Sequence, residues 1–176
     1  IILKRNKLTV SFPRNKKELV AHAKEIFQLI DDEYQHLYGV VPLTPRQVES
    51  YIDQYLGFME PAFIPMVFDE NQRMVAFGIT LPSLSRGLQK SRGELFPFGF
   101  IHLLNALRQK DRMDLYLIAV KSEYQGRGVN AVLMNALSQV IIQRGFKKIE
   151  TNPELETNQA VQTQWKYFER RLHKRR

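Results

Sequence analysis

The stretch that decides the reading is Ala119-Val120-Lys121-Ser122-Glu123-Tyr124-Gln125-Gly126-Arg127-Gly128-Val129-Asn130-Ala131-Val132-Leu133-Met134. The residues before it, Asp114 to Val120, are apolar on both faces and read as a central strand. The residues after it place Val129, Val132, Leu133, Ala136, Leu137, Val140 and Ile141 on the stripe of a helix that Gly145 ends. Between them Gly126 and Gly128 leave backbone N–H groups unobstructed by side chains. With the positive end of the helix dipole, those groups make an anion site sized for a phosphate or pyrophosphate, and Arg127 adds a cation at the rim. The turn is neither a P-loop, since no Gly-Lys-Ser/Thr follows, nor a dinucleotide fingerprint, since the three-glycine spacing is missing. From the glycines alone, a plain tight strand-to-helix connection stays open.

Upstream, Leu8, Val10 and Phe12 alternate as a short strand. Leu19, Ala23, Ile26, Phe27, Ile30, Tyr34, Leu37 and Tyr38 recur at helical spacing up to Gly39. Thr44-Pro45-Arg46-Gln47 opens a second helix with a capping box and proline at the first helical position; Val48, Tyr51, Ile52, Tyr55 and Leu56 are its stripe and Gly57 its stop. Phe63 to Phe68 and Met74 to Leu81, split by Asp69-Glu70-Asn71-Gln72, form a hairpin. Residues 82–112 are an irregular insert with one helix near Ile101 to Leu107. Phe146 to Thr151 is a further strand. A last helix starts at Asn158 and turns Val161, Trp165, Phe168 and Leu172 inward. The order β-α-α-β-β-insert-β-α-β-α predicts an α/β fold of the α+β type, a mixed, mostly antiparallel sheet flanked by helices.

Composition sets the outer bounds. A chain of 176 residues is the size of one domain and buries roughly 70% of its unfolded surface. There is no cysteine, which excludes disulfides, thiolate metal sites and a cysteine nucleophile. His22, His36, His102 and His173 have no metal spacing, so no metal site is expected. No apolar run approaches membrane-spanning length. The net charge is +8, but the basic excess sits at the ends, from Lys4 to Lys17 and from Arg170 to Arg176, with a third cluster from Arg86 to Arg112 flanking the aromatic segment. Residues 31–70 carry eight acids against Arg46 alone. This distribution argues against a nucleic-acid partner. The opening Ile1 and the lack of a basic-then-apolar leader suggest a piece of a longer protein.

Glu-Tyr-Gln-Gly-Arg-Gly-Val after a strand ending Ala-Val resembles the acyl-CoA-binding signature of the GNAT superfamily of N-acyltransferases, which reads Gln or Arg, two residues, Gly, one residue, then Gly or Ala. Gln125 and Gly128 match, while Asn130 departs from the final small residue. Asn158, Val161 and Trp165 resemble the later Asn-x-x-Ala-x-x-x-Tyr helix, with Val for Ala and Trp for Tyr. The resemblance implies acetyl-CoA or another acyl-CoA as co-substrate, a small-molecule or peptide amine as acceptor and a cytoplasmic location. It implies that the backbone groups of Ile118, Ala119 and Val120 meet the pantetheine and acyl carbonyl. The N–H groups of Gln125, Gly126, Arg127, Gly128, Val129 and Asn130 would hold the pyrophosphate, and Asn158 would face the pantetheine arm. Trp165 cannot supply the proton that the superfamily's Tyr gives the leaving thiolate. Tyr167 lies about 200° further around the helix. Glu150, Glu154 and Glu156 are candidate bases.

The strings Tyr38 to Thr44, Leu81 to Ser85, Glu94 to Phe100 and Gln164 to Glu169 further resemble a bacterial family in which a GNAT-like domain forms the C-terminal half behind another GNAT-like region. That resemblance implies a partner in the N-terminal half and a final strand beyond this chain. The aromatic insert, with Phe96, Phe98 and Phe100, is expected to line a pocket, to form satellite core or to meet the other half. A non-catalytic GNAT-like module that binds CoA or serves as an interaction half stays open as the alternative.

Overall fold

The computed structural model describes residues 1–56, 59–94 and 96–175. One five-stranded sheet runs through it in the order β1 (Thr9–Ser11), β2 (Met66–Phe68), β3 (Met74–Pro82), β4 (Arg112–Val120) and β5 (Lys148–Thr151). The first three pairings are antiparallel and the last is parallel, so the mixed, mostly antiparallel sheet is as the sequence predicts.

Each face of the sheet has its own cover. On one side α3 (Ala23–Tyr34) buries Ile26 and Leu29 against Phe77, Ile79, Leu81 and Ala119, and Leu56, just past the end of α4 (Pro45–Tyr55), joins the same cluster. On the other, α7 (Val129–Gln143) sets Val129 and Leu133 against Val67, Val75 and Ala76, and Leu137 and Ile141 against Met113 and Leu115. β3 is buried along its whole length, which is why its sequence is a continuous apolar run rather than an alternation. The β2–β3 turn is fixed by Asp69, whose Oδ1 accepts from the N–H groups of Asn71 and Arg73, each at 2.9 Å.

Several local expectations are corrected. The first helical stripe is two helices, α2 (Lys16–Ala21) and α3, meeting at His22, and it ends at Tyr34 rather than near Gly39. Past Tyr34 the chain has left the sheet, and Tyr38 is exposed. Α short helix α1 (Ile2–Asn6), not foreseen, precedes β1. The insert holds two helices, α5 (Ser85–Ser91) and α6 (Gly99–Arg108). They pack closely because a Cβ at Gly87 would meet the His102 carbonyl oxygen at 2.9 Å. The aromatic insert is not core: Phe96 is 81% exposed, and Phe98 and Phe100 are exposed too. The last helix, α8 (Gln159–Gln164), is short and tightens into a 3-10 turn at Trp165–Tyr167. Trp165 packs inward, but Phe168 and Leu172 do not. No strand follows among the described residues, so β5 is an edge. The expected helix stop at Gly57, Leu95 in one of the matched strings and the final Arg176 lie outside the described residues.

Candidate active site

β4 carries the site because its two ends have different neighbours. β5 pairs only with its first part, from Arg112 opposite Lys148 to Leu115 opposite Thr151. Beyond that the two strands splay. The pairing with β3 shifts by one residue between Ile79 and Thr80, leaving Tyr116 as a bulge at the apex of the splay. There the Asn152 side-chain amide donates to the Tyr116 carbonyl at 3.2 Å.

Past the bulge, hydrogen bonding alternates. The Lys121 N–H donates to the Val75 carbonyl, and Ala119 lies opposite Phe77, so these residues turn their backbone groups toward β3. Ile118 and Val120 turn theirs the other way, into the splay. Their carbonyls are taken: the Tyr34 hydroxyl donates to that of Ile118 at 2.7 Å, and the Gln125 amide to that of Val120 at 3.0 Å. Their N–H groups face the opening. Of the expected trio, then, Ile118 and Val120 present groups to a ligand and Ala119 does not.

The strand runs straight into the glycine turn. A 3-10 turn at Ser122–Tyr124 leads to Gln125, and then Gly126 and Gly128 adopt φ of 70° and 83°. Only glycine holds this left-handed region without strain, which explains why both are glycine. The N–H groups of Gln125 and Arg127 are spent on Ser122 and Tyr124 carbonyls within the turn. Those of Gly126, Gly128, Val129 and Asn130 remain at the mouth of α7, where a helix has no internal acceptors. Arg127 lies over the Tyr124 ring, 5.6 Å from its centroid.

Two residues of α3 that the sequence did not single out brace this assembly. Tyr34 holds the Ile118 carbonyl. Beside it, Glu33 accepts from the Ser122 N–H at 2.9 Å, the Ser122 hydroxyl at 2.6 Å and the Gln125 amide at 3.3 Å. Burial pushes the Tyr34 phenol above its ordinary value, against the hydrogen bond to Ile118, so it stays a donor at neutral pH. Asn130, the departure from the signature, has a structural use. Its amide donates to Gln164 of α8 at 2.6 Å and ties the two helices.

The candidate catalytic residues are placed less closely. Glu150, on β5, is bonded by Arg112 and has the His173 imidazole at 3.1 Å. Glu154 accepts from the Trp165 indole at 2.8 Å. Tyr167 is 81% exposed with the Lys166 ammonium 4.9 Å from its ring centroid. Asn158 caps α8, its side chain accepting from the Val161 N–H at 3.3 Å. A separate groove of about 700 Å³, bounded by Arg14, Glu60 and Arg144, lies at the C-terminal end of α7, away from the glycine turn.

The chain is similar to known proteins in sequence and in fold. Among curated sequences, Protein YghO of Escherichia coli K12 is 26% identical over 153 residues, covering 84% of this chain; the chain spans 39% of that protein's length. Among solved structures, an aminoglycoside acetyltransferase from an uncultured soil metagenomic sample superimposes with a TM-score of 0.58 at 10% identity, over 99% of this chain and 97% of that one. The ribosomal-protein-S18-alanine N-acetyltransferase of Escherichia coli superimposes with a TM-score of 0.52 at 15% identity, over 88% and 72%. These likenesses show the fold. The sequence model of the Acetyltransferase (GNAT) family matches residues 23–172, and the chain belongs to that family.

Proposed function

We propose that this domain binds an acyl-CoA in the splay between β4 and β5 and transfers its acyl group to an amine. The observation that carries the reading is the continuity of donors. The N–H groups of Ile118 and Val120 face the splay, and the strand that bears them leads directly into the Gly126–Asn130 turn. A diphosphate fits the turn, where a Cβ at Gly126 would meet nothing within 4 Å. An extended pantetheine amide chain fits an unpaired strand edge, as an added strand would. The N–H groups of Ile118 and Val120 are also the donors available to a thioester carbonyl, whose oxygen gains charge as the amine attacks. Acyl-CoA supplies the activated acyl group; the chain's own part is to hold it extended, polarise the carbonyl and move protons.

Tyr34 and Glu33 serve the first task. With the Ile118 and Val120 carbonyls already bonded, the edge presents donors at fixed angles. Glu150, Glu154 and Tyr167 belong to the proposal as proton-handling groups, with Asn158 beside the pantetheine arm. A cytoplasmic location and a second GNAT-like region in the longer protein complete it.

A non-catalytic CoA-binding module is the second reading. Trp165 favours it, since an indole bonded to Glu154 and packed among Leu115, Leu137 and Ile141 supplies no acidic proton. Calorimetric titration with acetyl-CoA, followed by thiol release with amine acceptors, separates the two. Sisomicin and an alanine-initiated peptide are suitable acceptors, because the soil acetyltransferase is known in complex with sisomicin and the Escherichia coli enzyme is named for a ribosomal-protein alanine. Binding with transfer supports the enzyme. Binding without transfer supports the module, and no binding removes both.

A further inference from the structure

The short helix α1 touches the glycine turn and has no part in the chemistry described so far. Its residues fix its placement. Leu3 packs against the cluster that holds Leu8, Val129 and Leu133. Lys7 turns through the left-handed region, at φ 52°, and its N–H reaches back to the Leu3 and Lys4 carbonyls, so the chain leaves the helix and enters β1. β1 opens at the same end of the sheet as the glycine turn. Thr9 lies opposite Phe68, Phe68 opposite Met74, and Ala76 opposite Val120 at the end of β4. Helix α1 therefore sits against the mouth of α7. A Cβ at Gly128 would come within 2.8 Å of the Ile2 Cδ1, and the Asn6 amide donates to the Arg127 carbonyl at 3.5 Å.

The contacts of Ile2 and Leu3 set which way the rest of α1 faces. With about 100° per residue, Ile2 and Asn6 lie about 40° apart on the side of the turn, and Leu3 stands about 100° from Ile2 on the side of the core. Arg5 lies about 60° from Ile2 on the side away from Leu3, beside the turn and at the solvent rim. Lys4 stands about 200° from Ile2, on the far face. Arg5 is exposed, and among the described residues its guanidinium has no ion-pair partner. Arg127 lies over the Tyr124 ring, and no carboxylate holds it. The acids at this end of the sheet are engaged elsewhere. Glu70 pairs with Lys7 at 2.8 Å, Asp69 with Arg73 at 2.7 Å, and Glu33 takes Ser122 and Gln125. Glu123 stands in the field of Arg73. Two guanidiniums without a carboxylate thus stand one on each side of the Ile2–Gly128 contact.

We infer that Arg5 and Arg127 receive a phosphomonoester of the nucleotide, a group separate from the diphosphate at the turn, so that the site distinguishes CoA from dephospho-CoA. The inference rests on the CoA-binding part of the proposed function. The N–H groups at the mouth of α7 suit a diphosphate and leave the two guanidiniums beside it for a further anion. A phosphomonoester carries close to two negative charges at neutral pH and three acceptor oxygens. The planar fork of a guanidinium meets such oxygens two at a time, which a lysine ammonium does not do. The 3′-phosphate of CoA is carried on the ribose next to the diphosphate, so it falls close to whatever holds the diphosphate. Ile2 and Asn6 give this part of the site its geometry, because they seat the helix that bears Arg5 directly on Arg127 and Gly128. Lys4 has the same charge on the far face and serves as the internal control.

The test is calorimetric titration of wild type, Arg5→Gln, Arg5→Lys and Lys4→Gln with CoA and with dephospho-CoA. Wild type is expected to bind CoA about tenfold or more tightly than dephospho-CoA, the size of a charge-assisted hydrogen-bonded contact at an exposed site. Arg5→Gln should lose about tenfold in affinity for CoA and stay within about twofold of wild type for dephospho-CoA, which also shows that the turn is intact. Arg5→Lys keeps the charge without the fork and should fall between. Lys4→Gln removes the same charge from the far face and should keep the wild-type preference. Three results overturn the assignment and leave the diphosphate site standing. The first is a wild type that binds the two ligands within about twofold of each other. The second is an Arg5→Gln variant that weakens both ligands equally, or neither. The third is a Lys4→Gln variant that loses the preference as fully as Arg5→Gln, the mark of a general field rather than a contact. Binding of neither ligand by wild type removes the CoA-binding reading, and this inference with it.

Discussion

Replacing each of the two glycines of the turn by alanine separates backbone strain from packing. Gly126 and Gly128 both lie at positive φ, so an alanine at either costs about 1–2 kcal/mol in backbone strain. The Cβ added at Gly126 meets nothing within 4 Å. The one added at Gly128 comes within 2.8 Å of the Ile2 Cδ1 of α1. That atom is the end of a flexible side chain, so it moves at the cost of an unfavourable rotamer, about 0.5–1.5 kcal/mol. Gly126→Ala should therefore cost about 1–2 kcal/mol and Gly128→Ala about 1.5–3.5 kcal/mol. At roughly 2–4 °C per kcal/mol for a chain of this size, the second should melt a few degrees below the first. Ile2→Ala combined with Gly128→Ala should show a favourable coupling of about 0.5–1 kcal/mol, since the shortened side chain clears the methyl. Scanning calorimetry of the four variants gives the numbers. Equal melting of the two alanine variants, or additivity with Ile2→Ala, would show that α1 does not rest on the turn. A stable Gly128→Ala would refute the left-handed conformation itself.

Three further outcomes follow from the same geometry. Gly128→Asp puts a carboxylate at the mouth of α7 and should weaken acetyl-CoA binding more than tenfold while circular dichroism stays native. Tyr34→Phe leaves the Ile118 carbonyl without its donor and should cost about 1–2 kcal/mol in urea unfolding at pH 7. Because burial raises the Tyr34 phenol, the folded state keeps its proton at pH values where the unfolded chain has lost it. Stability should therefore fall as pH rises above about 10, the ordinary tyrosine value, and Tyr34→Phe should flatten that limb. Trp165→Phe loses the indole bond to Glu154 and some buried volume, about 1–3 kcal/mol by the same unfolding assay.

The elements written in local pattern were legible before any coordinates. The hairpin at Asp69, the capping box at Thr44 and the glycine turn after β4 each follow from residues within a few positions of one another. Both halves of the capping box form, Thr44 accepting from the Gln47 N–H and Gln47 from that of Thr44. What the sequence does not display is proximity across the fold. Glu33 meets Ser122 and Tyr34 meets Ile118 across 84 or more positions, and neither carries a motif. Phe168 and Leu172 keep helical spacing although the helix ends at Gln164; spacing records which residues align, not whether a surface remains to receive them. The apolar insert was harder still, since Phe96 and Phe98 are exposed against the usual sense of such residues.

The most direct test of the central claim is a titration of the ¹⁵N-labelled protein with CoA, followed residue by residue at the backbone amides. The account predicts the largest shifts at Ile118, Val120, Gly126, Gly128 and Asn130, with smaller ones at Ala119, whose N–H faces β3. Shifts confined to the groove at Arg14, Glu60 and Arg144, or no shifts at CoA concentrations well above those that saturate acyl-CoA enzymes, would contradict it.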